Sequence, residues 1–249
     1  MSNVNPFANI GFEDFRRLAQ DKTLSKFERI GFPDNYRKGY ETAIFADIQT
    51  KLSKLNEREQ KVLDIGPGCS DLPTMLIEHC RAHSDKLYLI DSAEMLAHLP
   101  DQPFISKLPA LYPNCPEFIA ANQEQLDVIL CYSVLHYVFV DVAFFQFLDC
   151  SLSLLAPGGQ FLIGDIPNIS KRKRFFASET GVRFHQQFMK TEETPVVEFN
   201  RIEPDLIDDA VVMSIVQRAR AAGFDAYVVP QNPALPMANR REDILILRP

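Results

Sequence analysis

The segment Val62-Leu-Asp-Ile65 leads into Gly66-Pro-Gly68-Cys-Ser70, and Leu72, Met75, Leu76 and Cys80 follow at helical spacing. A short continuous apolar run that turns through glycines into an amphipathic helix is a strand–turn–helix unit whose strand is buried on both faces. Strands of that kind belong in a parallel sheet covered by helices. The pattern recurs. Leu87-Tyr-Leu-Ile90 closes on Asp91, and Asp127-Val-Ile-Leu130 precedes a helix through Phe144, Phe147, Leu148, Leu152 and Leu155. That helix stops at Pro157-Gly158-Gly159, ahead of the strand Gln160-Phe-Leu-Ile163. The fold expected is α/β, a doubly wound and mostly parallel sheet. Ile105 to Glu117 is proline-rich.

Other segments depart from this rhythm. Phe12, Phe15, Leu18 and Ala19 make one helical face, and Ile44, Phe45, Ile48, Leu52 and Leu55 another. Gly31 and Pro33 in Arg29-Ile-Gly-Phe-Pro-Asp-Asn-Tyr-Arg37 place a structured turn between them. Asn168 to Leu206 reads as polar and irregular. A helix from Asp208 to Ala222 ends at Gly223, and Tyr227-Val-Val229 and Ile244-Leu-Ile-Leu247 complete the sheet. The chain is expected to be one domain, 1–249: a helical cap 1–58, a core 59–167, an insertion or lid 168–207, and the end of the core sheet 208–249. Net charge is −7, which argues against nucleic acid or an anionic membrane as partner. The five cysteines are widely spaced and contain no C-x-x-C pair, as expected of reduced thiols rather than a zinc site. No basic leader with an apolar run opens the sequence, and a cytoplasmic location is the expectation.

Glycines between strand and helix let a backbone approach a ligand, although a bare G-x-G also serves as a tight turn. A dinucleotide site wants a third glycine three residues after the second, and that position is Asp71. A carboxylate there disfavours a diphosphate, and Asp64 adds another before the first glycine. A ligand with a cationic head fits better. Asp91, at the end of the next strand, is placed to accept from two ribose hydroxyls, or to cap a helix with Ser92.

These residues together resemble the class I (Rossmann-like) S-adenosylmethionine-dependent methyltransferases, from about Lys61 to Asp165. Val62-Leu-Asp-Ile-Gly-Pro-Gly68 is similar to their first motif and Leu89-Ile-Asp91 to their acidic second motif. Asp127 to His136 is similar to their fourth strand and the loop after it, and Leu155-Ala-Pro-Gly-Gly159 to the turn into the fifth strand. The resemblance implies the Rossmann-like methyltransferase fold, S-adenosyl-L-methionine as cofactor, and cofactor contacts from Asp64, Gly66, Gly68, Ser70 and Asp91. By position, Ser92 adjoins that site, Tyr132 is placed to line the pocket or to pack on other aromatics, and Arg37 of the cap to pair with the cofactor carboxylate or to lie on the surface. Ser70 departs from the pattern, since many members carry a third glycine there. The family's adenine-contacting motif is not recognisable. Phe32 to Arg37 and Gly164 to Phe176 loosely resemble methyltransferases of bacterial surface-polysaccharide biosynthesis, which implies a small-molecule acceptor such as a sugar or sugar nucleotide.

A hydroxyl acceptor needs a base, whereas an amine needs only to be neutral. His136, past the fourth strand, can supply one, or it can be structural. Asp165 ends the fifth strand and can orient His136 or bind the acceptor. His185, in the insertion, is placed as a residue reaching over from a lid. Lys171-Arg-Lys-Arg174 is the one dense basic run: a solvated loop, a diphosphate clamp or, against the overall charge, an RNA contact. No metal-binding pattern is present. An N-methyltransferase for an amino sugar or small amine and a non-catalytic binding protein stand as alternatives.

Overall fold

The computed structural model describes residues 10–249, so the first nine residues of the expected cap lie outside the described residues. The cap consists of α1 (Phe12–Gln20), α2 (Lys26–Arg29), α3 (Asp34–Arg37) and α4 (Glu41–Lys51), with a 3-10 turn at Ser53–Asn56. Ser25 caps α2 through a capping box with Glu28. Gly31 then reverses the chain at φ +78°.

The core alternates as the apolar runs dictate. In order come β1 (Lys61–Ile65), α5 (Asp71–His83), β2 (Lys86–Asp91), α6 (Ala93–Leu96), β3 (Ile105–Pro109), α7 (Pro116–Ala121), β4 (Leu126–Tyr132), α8 (Leu135–Asp141), α9 (Phe144–Leu154) and β5 (Leu155–Pro167). After it come α10 (Ile169–Phe176), α11 (Glu179–Met189), α12 (Asp209–Ala221), β6 (Asp225–Val229) and β7 (Arg241–Leu247). The sheet order is β3-β2-β1-β4-β5-β7-β6, with only β7 antiparallel to its neighbours. One apolar cluster fills each face. Leu63, Ile65, Ile129 and Phe161 point to one side, and Val62, Leu87, Val128 and Leu162 to the other. The chain winds outward from β1 to β3 and then returns to β4. The switch in direction therefore lies between β1 and β4, where open α/β sheets form a ligand crevice.

One reading of the sequence needs correction, and one segment that it left unassigned is resolved. The stretch expected to be irregular, Asn168 to Leu206, contains α10 and α11. Its periodicity is hidden because Phe175, Phe176, Phe184 and Phe188 pack on one another instead of on the main core, with centroids 5.1–6.4 Å apart. The unassigned proline-rich segment opens with β3. This strand lies at the sheet edge, is only half-buried, and carries Lys107 in its middle.

Candidate active site

An open cavity of about 960 Å³ lies over the carboxyl ends of β1, β2 and β4. Its floor is the loop after β1. Gly66 and Gly68 hold φ of +70° and +66°, the left-handed region where a Cβ is costly. A Cβ on Gly66 would sit 2.7 Å from Val134 Cγ2, and one on Gly68 2.7 Å from Ile30 Cγ2. Glycine thus brings the backbone of β1 against both the β4 loop and the cap. Phe12, Phe15 and Phe32 of the cap form the opposite wall with Tyr137 and Val138 of α8.

Two carboxyl groups face this space. Asp64 is 4% exposed, lines the cavity, and accepts no hydrogen bond from any described residue. Burial, with the Asp91 charge nearby, lifts its pKa to about 8. Asp91 Oδ2 accepts from the Gly68 N–H at 3.0 Å and Oδ1 from the Ser92 N–H at 2.7 Å. Burial still raises Asp91 to about 6 against those two donors. A buried carboxyl with no donor of its own calls for a cationic or hydroxyl-bearing ligand. The charge reasoning at Asp71 needs revision, because Lys26 Nζ lies 2.6 Å from that carboxylate and both groups are about half exposed. Unlike Asp71, Asp64 and Asp91 line the cavity itself.

The remaining expected cofactor residues divide. Tyr132 lines the cavity and is 7% exposed. Ser70 lines it too, while its hydroxyl caps α5 by accepting from the Leu72 N–H. Ser92 is spent on its helix: its hydroxyl accepts from the Met95 N–H at 3.1 Å as the N-cap of α6. Arg37 forms a buried corner. Its Nε donates to Glu41 Oε1 at 3.2 Å and its Nη1 to Ser133 Oγ at 3.0 Å. Its guanidinium lies 5.2 Å from the Phe32 ring and 5.6 Å from Tyr132.

Behind that corner is a buried polar network. Ser133 and Asp165 both hold positive φ, +62° and +58°, and the Ser133 hydroxyl donates to Asp165 Oδ2. Two non-glycine residues in this region, bonded to each other at adjacent strand ends, hold strain where function often keeps it. Asp165 Oδ2 also accepts from Arg241 Nη1 at 3.0 Å, and Oδ1 from Gln231 Nε2 at 3.3 Å. Beneath, fully buried Asp243 accepts from the Asp165 N–H at 2.7 Å and lies 2.6 Å from Lys51 Nζ.

This network corrects three expectations. Asp165 makes no hydrogen bond to His136; its oxygens are taken up by Ser133, Arg241 and Gln231. His136 lies outside the cavity lining, its ring packed on Tyr137 at 3.9 Å and its Nδ1 buried without a partner. Burial, with the Arg241 charge second, pulls its pKa down to about 3, so it is neutral and a weak base at pH 7. His185 packs on Phe176 at 6.2 Å, within the helical pair and off the cavity wall. Sequence reasoning missed the aromatic cap wall and the rim at Met95, Ala110 and Leu111, next to Asp91. The available signal was Phe12 and Phe15, three apart on one helical face.

No protein-family model and no curated protein matches the chain. Solved structures match its fold. The CurJ carbon methyltransferase aligns at 17% identity and TM-score 0.56, over 95% of this chain and 67% of that one. The N-methyltransferase NodS from Bradyrhizobium japonicum WM9, solved with S-adenosyl-l-homocysteine, aligns at 13% identity and TM-score 0.55, over 96% and 98%. The plantazolicin methyltransferase BpumL, solved with a monoazolic desmethylPZN analog and the same nucleoside, gives 13% and 0.55, over 96% of each chain. The chain has the Rossmann-like methyltransferase fold.

Proposed function

We propose that this protein is an S-adenosylmethionine-dependent methyltransferase acting on a small molecule. One observation carries the reading: the donor-free carboxyl of Asp64 faces a glycine-floored cavity at the switch point of a methyltransferase fold. In this reading Asp64 receives the cofactor's cationic amino-acid end, with Arg37 close enough to meet its carboxylate. Asp91 receives the ribose hydroxyls, and Met95, Ala110 and Leu111 hold the adenine. The cofactor, when bound, supplies an electrophilic methyl group. The protein's task is then to align the acceptor for an in-line displacement and exclude water, which the aromatic cap wall serves.

Loose resemblance alone supports a sugar or sugar-nucleotide hydroxyl as acceptor. The place of His136 favours a second reading, methylation of an amine that arrives neutral and needs no base. His136→Ala is therefore expected to keep its turnover within a few-fold, against the ~10²–10⁴-fold loss that removing a general base brings. Measuring kcat on the identified acceptor decides this, and a loss on the larger scale would restore the hydroxyl reading. Asp91→Ala is expected to weaken S-adenosyl-L-homocysteine by about 1–3 kcal/mol in calorimetry. Unchanged affinity would remove the ribose assignment. The reading as a whole is tested by incubating cell extract with methyl-labelled S-adenosylmethionine and the protein, then finding by mass spectrometry which metabolite gains label. Cofactor binding with no labelled product would favour the non-catalytic alternative.

A further inference from the structure

The basic run Lys171–Arg174 does not act as a unit once folded. Lys171 Nζ donates to the Arg241 carbonyl at 2.5 Å, Lys173 pairs with Glu203, and Arg174 pairs with Asp209. Arg172 remains. It is exposed, its guanidinium lies 5.5 Å from the Phe176 ring, and its side chain has no hydrogen bond or ion pair among the described residues. Arg240 matches it across the fold. Its guanidinium lies 5.8 Å from the Phe184 ring, and among the described residues its one side-chain hydrogen bond goes to Asn239 Oδ1. Phe176 and Phe184 are themselves 6.4 Å apart, so both cations rest on one aromatic cluster.

Their positions follow from the topology. Arg172 is in the first turn of α10, just past the carboxyl end of β5, and Arg240 directly precedes β7, which pairs antiparallel with β5. The Asn168 N–H bonds the Arg240 carbonyl at 3.4 Å, tying the start of α10 to this residue. Both cations thus sit on the ligand-bearing edge of the sheet. The link to the main cavity is short: Arg241 lies 5.9 Å from the ring of Phe32, a residue of the cavity wall.

We propose that Arg172 and Arg240 bind a phosphoryl group carried by the acceptor. An unpaired, partly buried arginine beside other arginines is costly. Burial pulls the Arg240 pKa down, and the charges of Arg241 and Arg172 act the same way. Such an arrangement is relieved by an anion. One carboxylate is satisfied by a single guanidinium fork, whereas two forks from separate elements suit a group with more oxygens and more charge. Phe176 and Phe184 each carry one of the two guanidinium groups near a ring face.

The phosphoryl group's being part of the acceptor rests on the methyltransferase reading, so the test separates the two. Inorganic pyrophosphate is titrated into the protein with and without S-adenosyl-L-homocysteine. Wild type is expected to bind it, and Arg172→Gln and Arg240→Gln each to weaken it about tenfold, as loss of one charge-assisted pair implies. Lys173→Gln and Arg174→Gln, whose partners lie within the protein, should change it less than twofold. Arg240→Gln should also melt no lower than wild type without anion, because it removes an uncompensated charge. Wild type that does not bind pyrophosphate at millimolar concentration overturns the proposal, as do controls that lose as much as the two arginine variants. Every variant should bind the nucleoside like wild type. Pyrophosphate binding without any nucleoside binding would uphold the anion site and refute the methyltransferase reading.

Discussion

From pH 6 to pH 8 the affinity for S-adenosylmethionine is expected to rise roughly fifty-fold, which is the proton linkage for one carboxyl of pKa near 8 that must ionise to receive a cation. Without ligand, Asp64 holds its proton well above the ordinary carboxyl range. At pH 6 binding must first expel that proton, and at pH 8 half the molecules have already lost it. The same shift affects stability with a definite sign. The folded pKa lies above the unfolded one, so the unfolded chain binds fewer protons between about pH 4 and pH 8. This group's contribution therefore grows less favourable as pH rises through that window, and ligand should offset the loss. Asp64→Asn should flatten the affinity profile and weaken binding at pH 8. Calorimetry across the range checks both points, and a flat wild-type profile would show that Asp64 does not meet the charge.

Asp243→Ala is expected to destabilise the fold by about 3–5 kcal/mol, the usual consequence of stripping one partner from a buried ion pair. Asp243 is fully buried and joins three elements: it accepts from Lys51 of α4, from the Asp165 N–H on β5 and from Gln231 ahead of β7. Its removal leaves Lys51 with Asp47 alone as carboxylate partner and frees the strained Asp165 backbone. Urea unfolding measures the loss. Asp243→Leu combined with Lys51→Met and Asp47→Ala should recover part of it, since Lys51 pairs with both carboxylates and removing all three leaves none of them without a partner. A single variant within 1 kcal/mol of wild type would mean that water reaches the site and takes over the role.

The sheet was legible because its strands are buried on both faces. Runs such as Val128–Cys131 and Phe161–Ile163 carry no polar interruption that could hide them. β3 was obscured by Lys107, which an edge strand tolerates and a central one does not. The helical pair after β5 was obscured because its phenylalanines pack within the pair. The glycine loop and Asp91 announced themselves through local spacing. Arg37 was named from the sequence, but its partners Ser133 and Asp165 lie about a hundred and more residues along the chain, and no spacing records such a contact. His136 misled because the end of a strand fixes where a residue sits and not which way its ring turns.

The wall facing the glycine loop is made by the cap, and this bears on how the chain is born. Phe12, Phe15, Ile30 and Phe32 leave the ribosome before any strand they cover, and Val134 and Tyr137 follow only after β4. Until those strands emerge, these apolar side chains lack the surface they cover in the fold, a condition that invites association with other nascent chains or capture by chaperones. The sheet can begin to assemble from β1 onward while the cap waits. The cap wall is thus synthesised before the frame on which it rests.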